Sequence, residues 1–246
     1  CNLDYSCVEG FCPSFVSVEG GSLRKPAPAI AAATDAADLP EPALPALDAP
    51  FGLLIAGVGG TGVVTLGALV GMAAHLEGRG VTVLDMTGLS QKGGAVMSHV
   101  RIARAQDELH AVRIDAGQAD AVIGCELVVA AGAEVLAKMQ RGRTRAVLNT
   151  AHVIGGEFIR HPDRPPADGA LQDSIRAAVG DDDALACLDA TRLASLLLGH
   201  SITANMFLLG FAWQRGLVPV SRAALARAID LNGVNAADNL RAFDWG

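Results

Sequence analysis

Phe51-Gly-Leu-Leu-Ile-Ala-Gly-Val-Gly-Gly-Thr-Gly-Val-Val-Thr-Leu-Gly-Ala-Leu-Val-Gly-Met-Ala-Ala74 carries no charged side chain, and how this stretch divides decides the fold. As one helix it is long enough to span a bilayer. Against that reading, Gly52, Gly57, Gly59, Gly60 and Gly62 crowd its first half, and each glycine in a helix interior costs about 1 kcal/mol relative to alanine. The division that suits them is a strand over 53–56, a tight glycine turn and a helix over 62–76. The Gly67-x-x-x-Gly71 spacing fits a dimerising membrane helix, and it equally lets a helix of a soluble protein lie close on a sheet.

Outward from this unit the same alternation recurs. Residues 81–84 read as a second strand ending at Asp85, and 98–102 and 111–114 alternate at period two, as strands with one polar face do. An apolar strand over 121–124 precedes a helix over 126–139, and 146–149 is the next strand. A loop over 155–168, a helix to Val179, a strand over 185–188 and a helix over 190–198 follow. The remainder reads as three helices, over 202–215, 221–230 and 234–241, with Ser221 as an N-cap. Strands alternating with helices define an α/β protein with a mainly parallel sheet flanked by helices and a helical C-terminal region.

Composition agrees. Of the 246 residues 51% are hydrophobic, 18% charged and 4% aromatic, with 28 glycines, the palette of a parallel α/β protein rather than a β-sandwich. A net charge of −7 gives no electrostatic footprint for nucleic acid or an anionic membrane surface. The chain divides into a short Cys-bearing segment (1–23), an Ala/Pro-rich linker (24–49) and the α/β domain (50–246). It opens on Cys1 rather than Met and shows no secretory signal, as expected of a piece of a longer protein. An odd number of cysteines, five, does not read as a disulfide framework and suits a reducing, cytoplasmic setting.

Three constellations carry chemistry. Gly57-Val58-Gly59-Gly60-Thr61-Gly62 follows a strand and opens a helix, where glycines allow a tight turn and let a ligand's phosphates approach the helix N-terminus. Asp85 stands where a dinucleotide-binding protein keeps a ribose-binding acid; the alternative is that the glycines only let strand and helix pack closely. The loop Ser90-Gln91-Lys92-Gly93-Gly94 offers a hydroxyl, an amide, a cation and backbone N–H groups at the carboxyl end of the sheet, or is an exposed loop with no ligand. Cys1, Cys7 and Cys12, the last followed by Pro13, point to iron–sulfur ligation, with zinc or three inert thiols as the alternatives. Their spacings of five and four residues are not those of a ferredoxin. Cys125 and Cys187 read as small buried hydrophobes. The six histidines show no metal-ligand spacing and read as surface or capping residues; His99, a few residues after Lys92, is the one to watch for proton transfer.

Cys1-Asn2 through Phe11-Cys12-Pro13-Ser14-Phe15, Gly57 to Thr65, Gly88-Leu89-Ser90-Gln91-Lys92-Gly93-Gly94, Val100-Arg101, Ala119-Asp120 through Glu126, Asn149-Thr150 and Ala242 to Gly246 together resemble the fused indolepyruvate ferredoxin oxidoreductases. The Ser-Gln-Lys-Gly-Gly loop is the most specific element, and the linker has no counterpart. The resemblance implies a Rossmann-like γ-type domain of the 2-oxoacid:ferredoxin oxidoreductases, preceded by the tail of a thiamine-diphosphate-binding region. It implies oxidative decarboxylation of an aryl 2-oxoacid to an acyl-CoA, with thiamine diphosphate, Mg and an iron–sulfur cluster in the whole enzyme, CoA as co-substrate and ferredoxin as acceptor. The chain lacks the Gly-Asp-Gly and Asn-Asn pattern of a thiamine site, so a supporting role packed on the thiamine domains is expected, in a homo-oligomer. Two other readings stay open: an NAD- or FAD-binding dehydrogenase domain, and a structural module that associates through its apolar C-terminal helices.

Overall fold

The computed structural model describes residues 19–21, 39–88, 93–151 and 168–246. Phe51–Val58 forms β1, and its six inner residues are buried, as a central strand covered on both faces requires. After the glycine turn comes α1 (Val63–Leu76), followed by β2 (Gly80–Thr87) and β3 (Ala95–Ala103). Then follow β4 (Ala121–Gly124), two short helices α2 (Leu127–Ala130) and α3 (Ala133–Leu136), and β5 (Arg145–Asn149). The rest is α4 (Asp168–Val179), β6 (Leu185–Leu188), α5 (Ala190–Leu198), α6 (Ala204–Gln214), α7 (Arg222–Asn232) and α8 (Ala236–Trp245).

The strands form one six-stranded sheet in the order β2-β3-β1-β4-β5-β6. β1, β4, β5 and β6 pair in parallel, β3 is antiparallel to both β1 and β2, and so β3 alone runs against the rest. The β2–β3 hairpin thus folds β3 back into the gap between β1 and β2. The expected mainly parallel α/β sheet is present, with this inserted strand as its particular feature.

The two faces have separate cores. On one, Leu53, Ile55, Val100 and Ile123 meet α1, α6, α7 and α8; on the other, Leu54, Val122 and Leu148 meet α2, Val135, Ile175 and Val179. The Gly67/Gly71 pair brings α1 onto the sheet. A Cβ at Gly67 would fall on the Ser98 hydroxyl of β3, and one at Gly71 would lie 2.7 Å from Val83 Cγ2 of β2. α6 buries Met206, Phe207, Leu208, Leu209, Ala212 and Trp213, so it is an interior helix, apolar nearly all round. Trp213 stacks obliquely on Phe243 of α8 at 5.9 Å between ring centroids and donates Nε1–H to the Val220 carbonyl at 2.9 Å. α6 therefore spends its apolar residues on the domain's own core, whereas Leu231 at the end of α7 and Val234 ahead of α8 stay exposed, at 49% and 66%. Among the described residues no helix is long and apolar enough to cross a membrane.

Three local expectations change. Residues 111–114 are loop rather than strand. Their alternation arises because Ile114 plugs the core while Val112 faces solvent and Arg113 reaches Glu134 at 2.7 Å. The helix expected over 126–139 is broken at Gly132, whose extended backbone starts α3 afresh. Cys187 is exposed on β6 at the end of the strand order, whereas Cys125 is buried as expected. The strand run within 14–19 and the loop within 155–168 fall almost wholly outside the described residues.

Candidate functional site

The carboxyl ends of β1, β4, β5 and β6 face one edge of the sheet, where open α/β folds bind ligands. There the β1–α1 loop closes on itself: the Thr61 amide and hydroxyl both donate to the Val58 carbonyl, at 3.0 and 2.7 Å. Gly60 and Gly62 sit at φ +96° and +81°, a region that other residues enter only with strain. Gly59 donates its N–H to the Gly94 carbonyl at 2.9 Å. That bond joins the two glycine loops, which were separate motifs in the sequence; the pairing of Val58 with Ala95 brings them together. Ser90, Gln91 and Lys92 lie outside the described residues, as do Cys1, Cys7 and Cys12.

The glycines of the loop divide by role. A Cβ on Gly57 would lie 3.0 Å from Cys125 Cβ, so Gly57 serves close packing, whereas one on Gly60 meets nothing within 4 Å. At Gly62 a Cβ would collide with the Asn205 amide in the first turn of α6. α1 has no side-chain cap at its N-terminus, and neither α1 nor α6 has an acidic residue in its first turn. Unpaired N–H groups and two helix dipoles at this edge favour an anion. Thr203, the N-cap of α6, is fully buried with its hydroxyl unpartnered.

Behind the loops lies a polar scaffold that reading the sequence did not assign a role. Glu126 is 2% exposed, and its carboxylate accepts the Val128 and Val129 amides at 2.7 and 2.9 Å, capping α2. Asn149 donates from Nδ2 to the Cys125 carbonyl and the Thr191 hydroxyl, and accepts at Oδ1 from the Ala190 and Ala151 amides. One side chain thus ties the ends of β4 and β5 to the start of α5. The signal was present, since each polar residue ends an apolar strand run, but its partners are remote in sequence. Burial pushes the Cys125 thiol up to about 12, so it stays neutral at the site.

Two expected residues fall elsewhere. Asp85 is on β2, which β3 separates from β1 by two strand spacings, about 10 Å, and its carboxylate lies 3.6 Å from the Cβ position of Gly67 beneath α1. It does not face the glycine loop, so a dinucleotide would find no ribose-binding acid there. His99 is a fully buried residue on β3, not a surface one: its Nδ1 accepts the Ile114 amide at 3.2 Å. Among the described residues no three His, Cys, Asp or Glu side chains group to hold a metal.

An open, mainly parallel α/β domain with paired glycine loops at the carboxyl edge of its sheet is the class these features define. The family model of pyruvate ferredoxin/flavodoxin oxidoreductase matches residues 52–246, and the chain belongs to this family. It is 28% identical over 205 residues to the indolepyruvate oxidoreductase subunit IorB of Methanothermobacter thermautotrophicus, covering 80% of this chain and 95% of that one. The IorB of Pyrococcus horikoshii is also 28% identical, over 80% of this chain and 94% of its own. In fold the chain is similar to the keto/oxoacid ferredoxin oxidoreductase gamma subunit of Geobacter sulfurreducens, with TM-score 0.53, 19% identity and coverage of 79% and 95%. It is likewise similar to the 2-oxoglutarate:ferredoxin oxidoreductase of Magnetococcus marinus, solved with 2-oxoglutarate, coenzyme A and succinyl-CoA, at TM-score 0.53 and 20% identity. That match covers 80% of this chain and 30% of the other.

Proposed function

We propose that residues 50–246 are the supporting γ-type domain of an indolepyruvate, or related aryl 2-oxoacid, ferredoxin oxidoreductase, and that its paired glycine loops bind the phosphates of CoA. The observation that carries the CoA reading is the Gly59–Gly94 bond, which sets both loops beside the uncapped start of α1. The residues fit such a group. Gly60 leaves space for a phosphate, the first-turn amides of α1 offer donors, and Lys92 on the same loop as Gly94 supplies a positive charge. CoA supplies the thiol that carries the acyl group away; this chain binds and orients it, while decarboxylation belongs to the thiamine-binding domains. Residues 1–23 fit the tail of that region, with Cys1, Cys7 and Cys12 as cluster ligands, and residues 24–49 fit a linker to it. Ferredoxin takes the electrons, and the setting is cytoplasmic.

The test is calorimetric titration of CoA into the assembled oxidoreductase. Lys92→Ala should weaken binding about tenfold, the loss of one charge-assisted contact, with NAD giving no heat. CoA affinity unchanged in Lys92→Ala and in Gly60→Val would overturn the reading.

A further inference from the structure

At the amino edge of the sheet, about 20 Å along β1 from the glycine loops, lies a cleft that the proposed function does not use. Its volume is about 150 Å³, and its lining is mostly polar: Arg101 of β3, with Asp115, Gln118 and Arg143 from the loops that lead into β4 and β5. One wall is held by a network. Arg143 donates from Nε to Asp120 Oδ1 at 2.8 Å and from Nη1 to Gln118 Oε1 at 2.7 Å, while Asp120 Oδ2 accepts the Gly52 N–H at 2.7 Å. The Asp120 carboxylate thereby offsets the charge of Arg143. Arg101 and Asp115 have no such counterpart. Arg101 spends one donor, Nη1, on the Ala111 carbonyl at 3.2 Å, and among the described residues its Nε and Nη2 groups have no partner. The Asp115 carboxylate has neither an ion-pair nor a hydrogen-bond partner among those residues. One small cleft thus holds a cation and an anion that do not pair with each other.

We propose that this cleft binds a small zwitterion, an α-amino acid with a short side chain, its carboxylate on Arg101 and its ammonium group on Asp115. Charge favours this ligand class. A guanidinium recognises a carboxylate through two parallel N–H···O bonds, and Arg101 keeps the adjacent Nε and Nη2 donors that form such a fork. An ammonium group has three donors and no acceptor, which suits the unspent oxygens of Asp115. A simple anion would face Asp115 as a like charge and a simple cation would face Arg101, so the two together select a ligand that carries both signs. Size favours it as well. A cavity of about this volume takes benzene, with about six non-hydrogen atoms, and alanine and serine have about six and seven. An aryl 2-oxoacid is too large for it. A Cβ at residue 52 would lie 2.8 Å from the Gln118 carbonyl oxygen, so glycine there lets the loop before β4 close on β1 beside the cleft. Because the Asp120–Arg143–Gln118 network sets one wall before a ligand arrives, binding has little left to order. The site is separate from the glycine loops and does not depend on the CoA reading.

Titration of alanine into the full chain, followed by two-dimensional amide NMR, tests this. Saturable shifts should centre on the amides of Gly52, Arg101, Asp115 and Gln118, with a Kd below about 1 mM. Arg101→Gln and Asp115→Asn should each weaken alanine at least about tenfold, with amide spectra that otherwise match the wild type and so report an intact fold. Acetate and methylamine, which carry one charge each, should likewise bind at least about tenfold more weakly than alanine. Cleft amides that do not move at about 10 mM alanine overturn the proposal. So does alanine affinity unchanged in either variant, and so does acetate or methylamine binding as tightly as alanine.

Discussion

His99 gives the protein a defined acid sensitivity. Its ring is fully buried in β3, and because Nδ1 accepts the Ile114 amide at 3.2 Å, the neutral ring carries its proton on Nε2, which has no partner. Burial pushes its pKa down from 6.5 to about 4, with Lys138 and Arg113 adding to the shift and Glu134 opposing it. Above pH 6.5 the residue is neutral in both native and unfolded chains and has no effect. As pH falls below 6.5 the unfolded chain takes up a proton that the native ring refuses, so stability drops at about 1.4 kcal/mol per pH unit. Near pH 4 the native ring also protonates and the loss levels off at about 3 kcal/mol, or roughly 10 °C in Tm for a domain of this size. The assay is urea unfolding of the wild type and His99→Gln from pH 7.5 to 4. Glutamine keeps an acceptor for Ile114 and cannot titrate, so subtracting the two curves cancels the carboxylates common to both. The difference should change by about 3 kcal/mol across that window, the wild type losing more. Parallel curves would refute the buried neutral histidine.

Two further outcomes follow from close contacts. Gly67→Ala should cost about 1–3 kcal/mol by overpacking against Ser98, and Ser98→Gly in the same chain should restore much of that loss, read as coupling in a double-mutant cycle of thermal melts. Asn149→Ala should cost about 2–4 kcal/mol, because it leaves the Ala190 amide and the Thr191 hydroxyl without this partner, and hydrogen exchange should quicken at Ala190.

The glycine-rich stretch at 51–74 was legible because both signals are local. A strand's apolar run and a helix's periodicity are written in neighbouring residues, and glycine's backbone freedom marks the turn between them. The same holds for most later strands and helices and for the Ser221 cap, which accepts the Ala224 amide at 3.2 Å. Residues 111–114 misled because period-two alternation also arises in a loop that inserts one side chain, Ile114, between exposed neighbours. The unbroken helix over 126–139 misled because propensity is weak and Gly132 offered a cheap break.

By itself the sequence determined that this is an acidic α/β domain with a glycine turn at its first strand and a polar, glycine-rich loop after its second. The tertiary structure decided which of these features meet. Inserting β3 between β1 and β2 joins the two loops through Gly59 and Gly94, carries Asp85 two strands away, and puts β2 at the end of the sheet among the described residues. Strand order rests on long-range hydrogen bonding between segments that carry no mark of their neighbours, so composition and periodicity are silent about it. Burial was likewise a property of the assembled layers. The apolar helix α6 went inside, while Val64, Met72 and Leu76 of α1 stayed exposed, although both helices read as apolar in the chain.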